Sequence, residues 1–139
     1  MANLLEITGD DIALLSDADL RSLIGLLCEA DFRLAGLPTS GIIWGGHQDV
    51  SDDGLDVTVR NTVPPPQNSF VPRSITGFQV KKPDMTAARI IKEMKPKGKL
   101  RNEIKTLVKD GGAYIIVNST GSVTNKALQN RLDAMRKAG

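Results

Sequence analysis

Cysteine is nearly absent from this chain of 139 residues, with Cys28 standing alone. One thiol excludes an intrachain disulfide and falls short of a thiolate zinc site. Set in an apolar helical pattern, Cys28 reads as a small core residue in a reducing compartment. Histidine is as scarce, so a Cys–His nucleophile pair could use only His47. Aromatic residues make up 4%, too few for a platform that stacks single-stranded bases. No apolar run approaches the roughly 18 residues of a membrane-spanning helix, and the N-terminus has no basic stretch followed by an apolar one. A soluble, cytoplasmic protein without a membrane segment is expected.

What is present suits a single domain: the length fits one core, and 40% apolar residues can fill it. The net charge of +2 conceals an asymmetry. Residues 1–60 carry eleven acids against Arg21, Arg33 and Arg60, whereas residues 72–109 carry eleven bases against Asp84, Glu93 and Glu103. Such a basic stretch is what a polyanion-binding face needs, and equally what a solvated lysine-rich helix looks like. The chain stops at Gly139 just after Met135-Arg136-Lys137, which suggests a domain taken from a longer polypeptide.

Leu20, Leu23, Ile24, Leu27, Ala30 and Leu34 recur at helical spacing, so a helix is expected from about Asp17 to Leu34, capped by Ser16 and ended by Gly36 and Pro38. Ile42 to Trp44 reads as a short strand leading into Gly45-Gly46. Leu55 to Arg60 alternates apolar and polar residues, the signature of a half-buried strand. Pro64, Pro65, Pro66 and Pro72 make 61–73 a surface loop. Ile75 to Val80 resumes strand character. Residues 85–109 predict two helical pieces broken at Pro96 and Gly98. Ala113 to Val117 predicts a buried strand, and a last helix should begin near Val123 with Leu128, Leu132 and Met135 inward. The order implies an α/β fold, a mixed central sheet of about four strands flanked by helices.

The chemistry concentrates on two of these strands. Asp56 occupies the polar face opposite Leu55 and Val57. Gln79 and Lys81, two residues apart, project from one side of their strand, with Val80 turned the other way. If the strands are neighbours, carboxylate, amide and amine converge. Asp56, the amide oxygen of Gln79 and the carbonyl of Val80 are then oxygen ligands for Mg²⁺, which polarises a phosphate and acidifies a bound water. Lys81 can orient that water or offset the growing charge. A neutral glutamine leaves such a site short of negative charge, so a further acid should contribute. Asp52 and Asp53 compete with Asp56; the latter is favoured because it lies within the alternating strand.

Gly54-Leu55-Asp56-Val57 and Gln79-Val80-Lys81-Lys82-Pro83-Asp84-Met85 resemble the catalytic motif of PD-(D/E)xK phosphodiesterases, particularly the Mrr-like restriction endonuclease branch, where Gln-x-Lys often replaces Glu-x-Lys. Together with Leu27-Cys28-Glu29-Ala30, Trp44-Gly45-Gly46 and Gly112-Ala113-Tyr114-Ile115-Ile116-Val117, they resemble the N-terminal nuclease domains of large bacterial antiviral STAND NTPases, over about residues 17–137. The resemblance implies a restriction-endonuclease-like core and Mg²⁺-dependent cleavage of double-stranded DNA, with Mn²⁺ as a possible substitute. It further implies homo-oligomerisation driven by regions outside this chain. It also implies an acid on the first helix that helps bind metal. Glu29 is the matching candidate, with Asp19 and Asp31 as alternatives.

Each residue has a plainer reading. Asp56 could pair with Arg60 on the surface, Lys81 could be a strand-edge lysine, Gln79 could serve a backbone group, and Glu29 could pair with Arg33 one helical turn away. Among the bases, Lys82 and Lys99 are the chosen phosphate contacts. The loop Asn118-Ser119-Thr120-Gly121-Ser122 joins a strand to a helix but lacks a glycine-rich nucleotide fingerprint, so it reads as a helix cap. Against the nuclease stands a catalytically inactive relative that binds nucleic acid or mediates oligomerisation.

Overall fold

The computed structural model describes residues 6–44, 54–121 and 124–139. Its elements are helices α1 (Gly9–Ala13) and α2 (Asp17–Leu34), strands β1 (Ile42–Trp44), β2 (Val57–Arg60) and β3 (Ile75–Lys81), helices α3 (Ala87–Met94) and α4 (Asn102–Lys109), strand β4 (Ala113–Asn118) and helix α5 (Asn125–Ala138). The fold is α/β, with one four-stranded mixed sheet in the order β1-β2-β3-β4. The first three strands run antiparallel and β4 lies parallel to β3. A parallel neighbour needs a crossover, which α3 and α4 supply with a 3-10 turn at Pro96–Gly98 between them. No described helix is long and apolar enough to cross a membrane.

The alternation of each strand divides the interior in two. Val57, Val59 and Phe78 turn to one face and pack with Cys28 and Phe32 of α2 and with Ile42. Tyr114 and Ile116 turn to the other and pack with Ile90 and Met94 of α3, Ile104 of α4, and Ala134 and Ala138 of α5. The proline-rich segment runs over the surface as expected, yet it is anchored. Val71 is fully buried in the α2-side core, and the Ser69 hydroxyl donates to the Asp31 carboxylate.

Helix boundaries follow their caps. Ser16 caps α2, Thr86 caps α3 and Thr124 caps α5, each hydroxyl accepting a backbone N–H of the first turn. The expected start of the last helix near Val123 lies outside the described residues. Helix α1, which the apolar pattern does not announce, rests on a reciprocal capping box between Thr8 and Asp11.

Several expected inward faces are rotated. On α2 the buried line is Leu20, Gly25, Cys28 and Phe32, while Leu27 and Leu34 are exposed. The reason is Gly25, whose missing side chain lets the Trp44 indole lie against the helix; a Cβ there would sit 2.2 Å from Trp44 Cδ2. Helix α5 turns its small residues Ala134 and Ala138 inward, leaving Leu128 and Leu132 exposed. Alanines permit close approach to α3, which the leucines would prevent. Ile91 and Val108, apolar residues on the helical spacing of α3 and α4, are also exposed.

Gly25→Ala should therefore force the indole out of its seat. Equilibrium urea unfolding is expected to show a loss of about 1–3 kcal/mol, the usual cost of overpacking a core.

Candidate active site

The register of β2 against β3 pairs Val57 with Phe78, so β3 continues through Gln79, Val80 and Lys81 with no β2 partner on that side. This opens a notch at the C-terminal end of β3, beside the parallel end of β4, where the ends of strands commonly face ligands. Asp56, one residue ahead of β2, fills it. Its backbone N–H donates to the Phe78 carbonyl at 2.9 Å, which extends the pairing just enough to fix its direction. Its Oδ2 accepts the Val80 N–H at 2.7 Å and the Gln79 Nε2 at 3.3 Å. The carboxylate thus replaces the missing strand as the acceptor for Val80. Because N–H and C=O of one strand residue point to the same edge, the Val80 carbonyl faces the notch as well.

Upstream, Gly54 has φ +65°, a left-handed conformation that turns the chain into Leu55 and Asp56. The space a side chain would take at Gly54 is bordered by the Arg101 guanidinium, 3.1 Å from an ideal Cβ.

Lys81 extends along the same face as Gln79 and places Nζ 3.6 Å from Glu93 Oε1. Glu93, on α3, is held in turn by Arg101, whose Nη2 lies 3.1 Å from the same oxygen and whose Nε donates to the Glu93 carbonyl at 2.6 Å. Both carboxylates are well shielded, with side-chain exposure of 19% for Asp56 and 18% for Glu93. The sixth member of the cluster comes from the opposite face of the sheet, where Arg21 of α2 reaches around the notch to bring Nε within 3.1 Å of Asp56 Oδ1. The first turn of the same helix ties the next segment down, since Asp17 Oδ1 accepts the Lys82 N–H at 2.9 Å.

Three buried polar atoms in or beside this cluster have no hydrogen-bond partner, Arg21 Nε, Gln79 Oε1 and the Tyr114 hydroxyl. Tyr114 pairs with Gly77 in the β3–β4 register and so shares the face of Gln79. Burial pushes its pKa well above the ordinary phenol value; Glu93, Asp56 and Glu103 add to the rise, and the nearby Arg101 opposes it.

The expected convergence of Asp56 and Gln79 is present, with Lys81 on the same strand face. Glu29 is elsewhere. It pairs with Arg33 Nη2 at 3.3 Å and lies two turns beyond Arg21, roughly 12 Å along the helix. The helix alternatives are also committed: Asp19 to the Ser16 cap and Asp31 to Ser69. Where an acid from α2 was expected, a guanidinium stands. Arg60 pairs with Asp110, not with Asp56. His47, Asp52 and Asp53 lie outside the described residues. Lys82 is half-buried and Lys99 exposed on the turn that leads into Arg101. Among the described residues no three His, Cys, Asp or Glu side chains cluster.

Sequence reasoning missed Arg21, Glu93, Arg101 and Tyr114. Glu93 carried a signal, as one of three acids in an otherwise basic stretch. Tyr114, inside an apolar strand, carried none. No protein-family model, curated protein or solved structure matches the chain.

Tyr114 is the only tyrosine, so its ionisation can be followed alone by ultraviolet absorbance. A phenol whose pKa is raised by folding favours the native state below its unfolded value of about 10, and that contribution is lost as pH climbs further. No phenolate step is expected near pH 10; it should appear only at higher pH or together with alkaline unfolding. A normal titration in the folded protein would contradict the burial of the hydroxyl.

Proposed function

We propose that this domain is a metal-dependent endonuclease that hydrolyses phosphodiester bonds of double-stranded DNA, built on a restriction-endonuclease-like core. The motif resemblance further supports a role as the effector of an anti-phage defence protein that acts as a homo-oligomer. One observation carries the reading: a shielded carboxylate, a buried amide oxygen without a partner and a lysine ammonium lie around the open end of β3.

The donor set suits a hard divalent cation such as Mg²⁺, or Mn²⁺ in its place. Asp56 supplies negative charge, the Val80 carbonyl faces the same notch, and the amide of Gln79 can turn over to present its unpartnered oxygen. A cation held there supplies charge neutralisation at the phosphate and an acidified water. The chain's own groups do the rest. The Val80 N–H holds Asp56 in one orientation. Glu93 and Arg101 fix the reach of Lys81, whose ammonium offsets charge gathering on the phosphate oxygens. Lys82 and exposed Lys99 give the backbone of a duplex further contacts that carry no sequence preference.

The second reading, a catalytically inactive module that binds nucleic acid or mediates oligomerisation, draws on the Arg21 guanidinium beside Asp56 and on the absence of a third clustered acid among the described residues. Plasmid nicking separates the two.

With Mg²⁺ present, and with the domain also fused to a dimerising coiled coil, the wild type should convert supercoiled to open-circular DNA. Asp56→Ala and Lys81→Ala should each slow this by about 10²–10³-fold, the range for losing a transition-state contact. Glu29→Ala should leave the rate within about twofold, because only an ion pair with Arg33, away from the notch, is lost. Equal cleavage by wild type and Asp56→Ala would sink the nuclease reading.

A further inference from the structure

Arg21 is the one charged member of the cluster with a buried donor that makes no hydrogen bond. Its Nε lies 3.1 Å from Asp56 Oδ1, yet the N–H is buried and aimed at no acceptor. The pair is a Coulombic contact without a formed hydrogen bond. A buried guanidinium donor left idle is costly, and such groups are normally satisfied. Asp56 does not depend on it either, since Oδ2 already takes the Val80 N–H and the Gln79 amide.

The charges point the same way. The ion pairs described around the end of β3 comprise two carboxylates, Asp56 and Glu93, against three cations, Arg21, Lys81 and Arg101. Adding a divalent cation at Asp56 would bring two more positive charges against a guanidinium already on the same carboxylate. Arg21 and the metal therefore compete, unless an anion arrives to take the guanidinium. The anion that the proposed reaction brings to this spot is a backbone phosphate, and the planar fork of arginine fits phosphate oxygens better than any other side chain.

We propose that Arg21 is a phosphate-binding residue that exchanges the Asp56 carboxylate for the DNA backbone, so that divalent cation and DNA bind with positive cooperativity. The proposal rests on the nuclease reading. The free protein holds Asp56 under Arg21 and takes up metal weakly. A phosphate in the notch draws Arg21 away, freeing Oδ1, and bound metal in turn frees Arg21 for phosphate. Linkage makes the two effects equal in size.

The test measures binding rather than turnover. Mn²⁺ affinity of the free protein is read by electron paramagnetic resonance, and affinity for a short DNA duplex by fluorescence anisotropy with Ca²⁺ or with chelator. In the wild type, Ca²⁺ should tighten DNA binding by about tenfold, within the usual range of coupling between sites. Arg21→Met keeps an unbranched aliphatic stem and removes the charge. It should bind Mn²⁺ about tenfold more tightly than wild type without DNA, and lose the Ca²⁺ effect on DNA. Arg21→Lys, a cation without the fork, should fall between the two and serves if the methionine variant does not fold. Mn²⁺ binding by Arg21→Met that is no tighter than wild type, or an unchanged Ca²⁺ effect, overturns the proposal. Asp56→Ala is the separate arm. If it leaves Mn²⁺ binding intact, the metal reading of Asp56 fails by itself. If it abolishes binding while Arg21→Met behaves as wild type, only the role of Arg21 is lost.

Discussion

The bond from the Val80 N–H to the Asp56 carboxylate is the contact around which the rest of the candidate site is arranged. A strand that outruns its neighbour leaves a backbone donor needing an acceptor, and an unpaired buried N–H is costly. Asp56 meets that need with a charge. Sheet completion and site formation are thus one event, and the carboxylate is pinned before any ligand arrives. A neutral side chain at 56 would leave the donor poorly served. Its removal therefore bears on local order as well as on chemistry.

The surrounding charges fall into two sets with different characters. Glu93, Lys81 and Arg101 make a braced group, because Arg101 also bonds the Glu93 backbone carbonyl and borders Gly54. Its role is to hold position across α3, α4 and the approach to Asp56. Arg21 is unbraced and reaches in from the other helical layer. The fixed group is centred on Glu93 of α3, and the loose one comes from α2.

How much of this was legible depended on how locally each feature is encoded. Asp56, Gln79 and Lys81 were readable because a period-2 pattern states which side chains share a face, and because β2 and β3 are consecutive antiparallel strands. The helix contribution was not readable. Glu29 and Arg21 lie on the same helix, and which of them meets Asp56 depends on how α2 sits across the sheet. That in turn depends on Trp44 seated on Gly25. A glycine and a cysteine mark the true inner line of α2, and both register faintly in an apolar pattern beside Leu27 and Leu34. The same bias toward large residues turned Leu128 and Leu132 inward when Ala134 and Ala138 hold that place. Glu93 and Tyr114 reach the cluster only through the parallel crossover to β4, a long-range pairing that local pattern does not specify.

The proline-rich segment between β2 and β3 has a bearing on how the molecule assembles. Pro64, Pro65 and Pro66 stiffen the connection of a simple hairpin, and Val71 and Ser69 moor it to the α2 layer. A stiff connection narrows the unfolded ensemble, so the acid and the amine of the notch are drawn together by closing one antiparallel hairpin. The parallel β3–β4 pairing demands the far longer loop through α3 and α4, and such non-local contacts form slowly. The pair of strands that carries the candidate site is therefore built early, on the part of the topology that is quickest to reach.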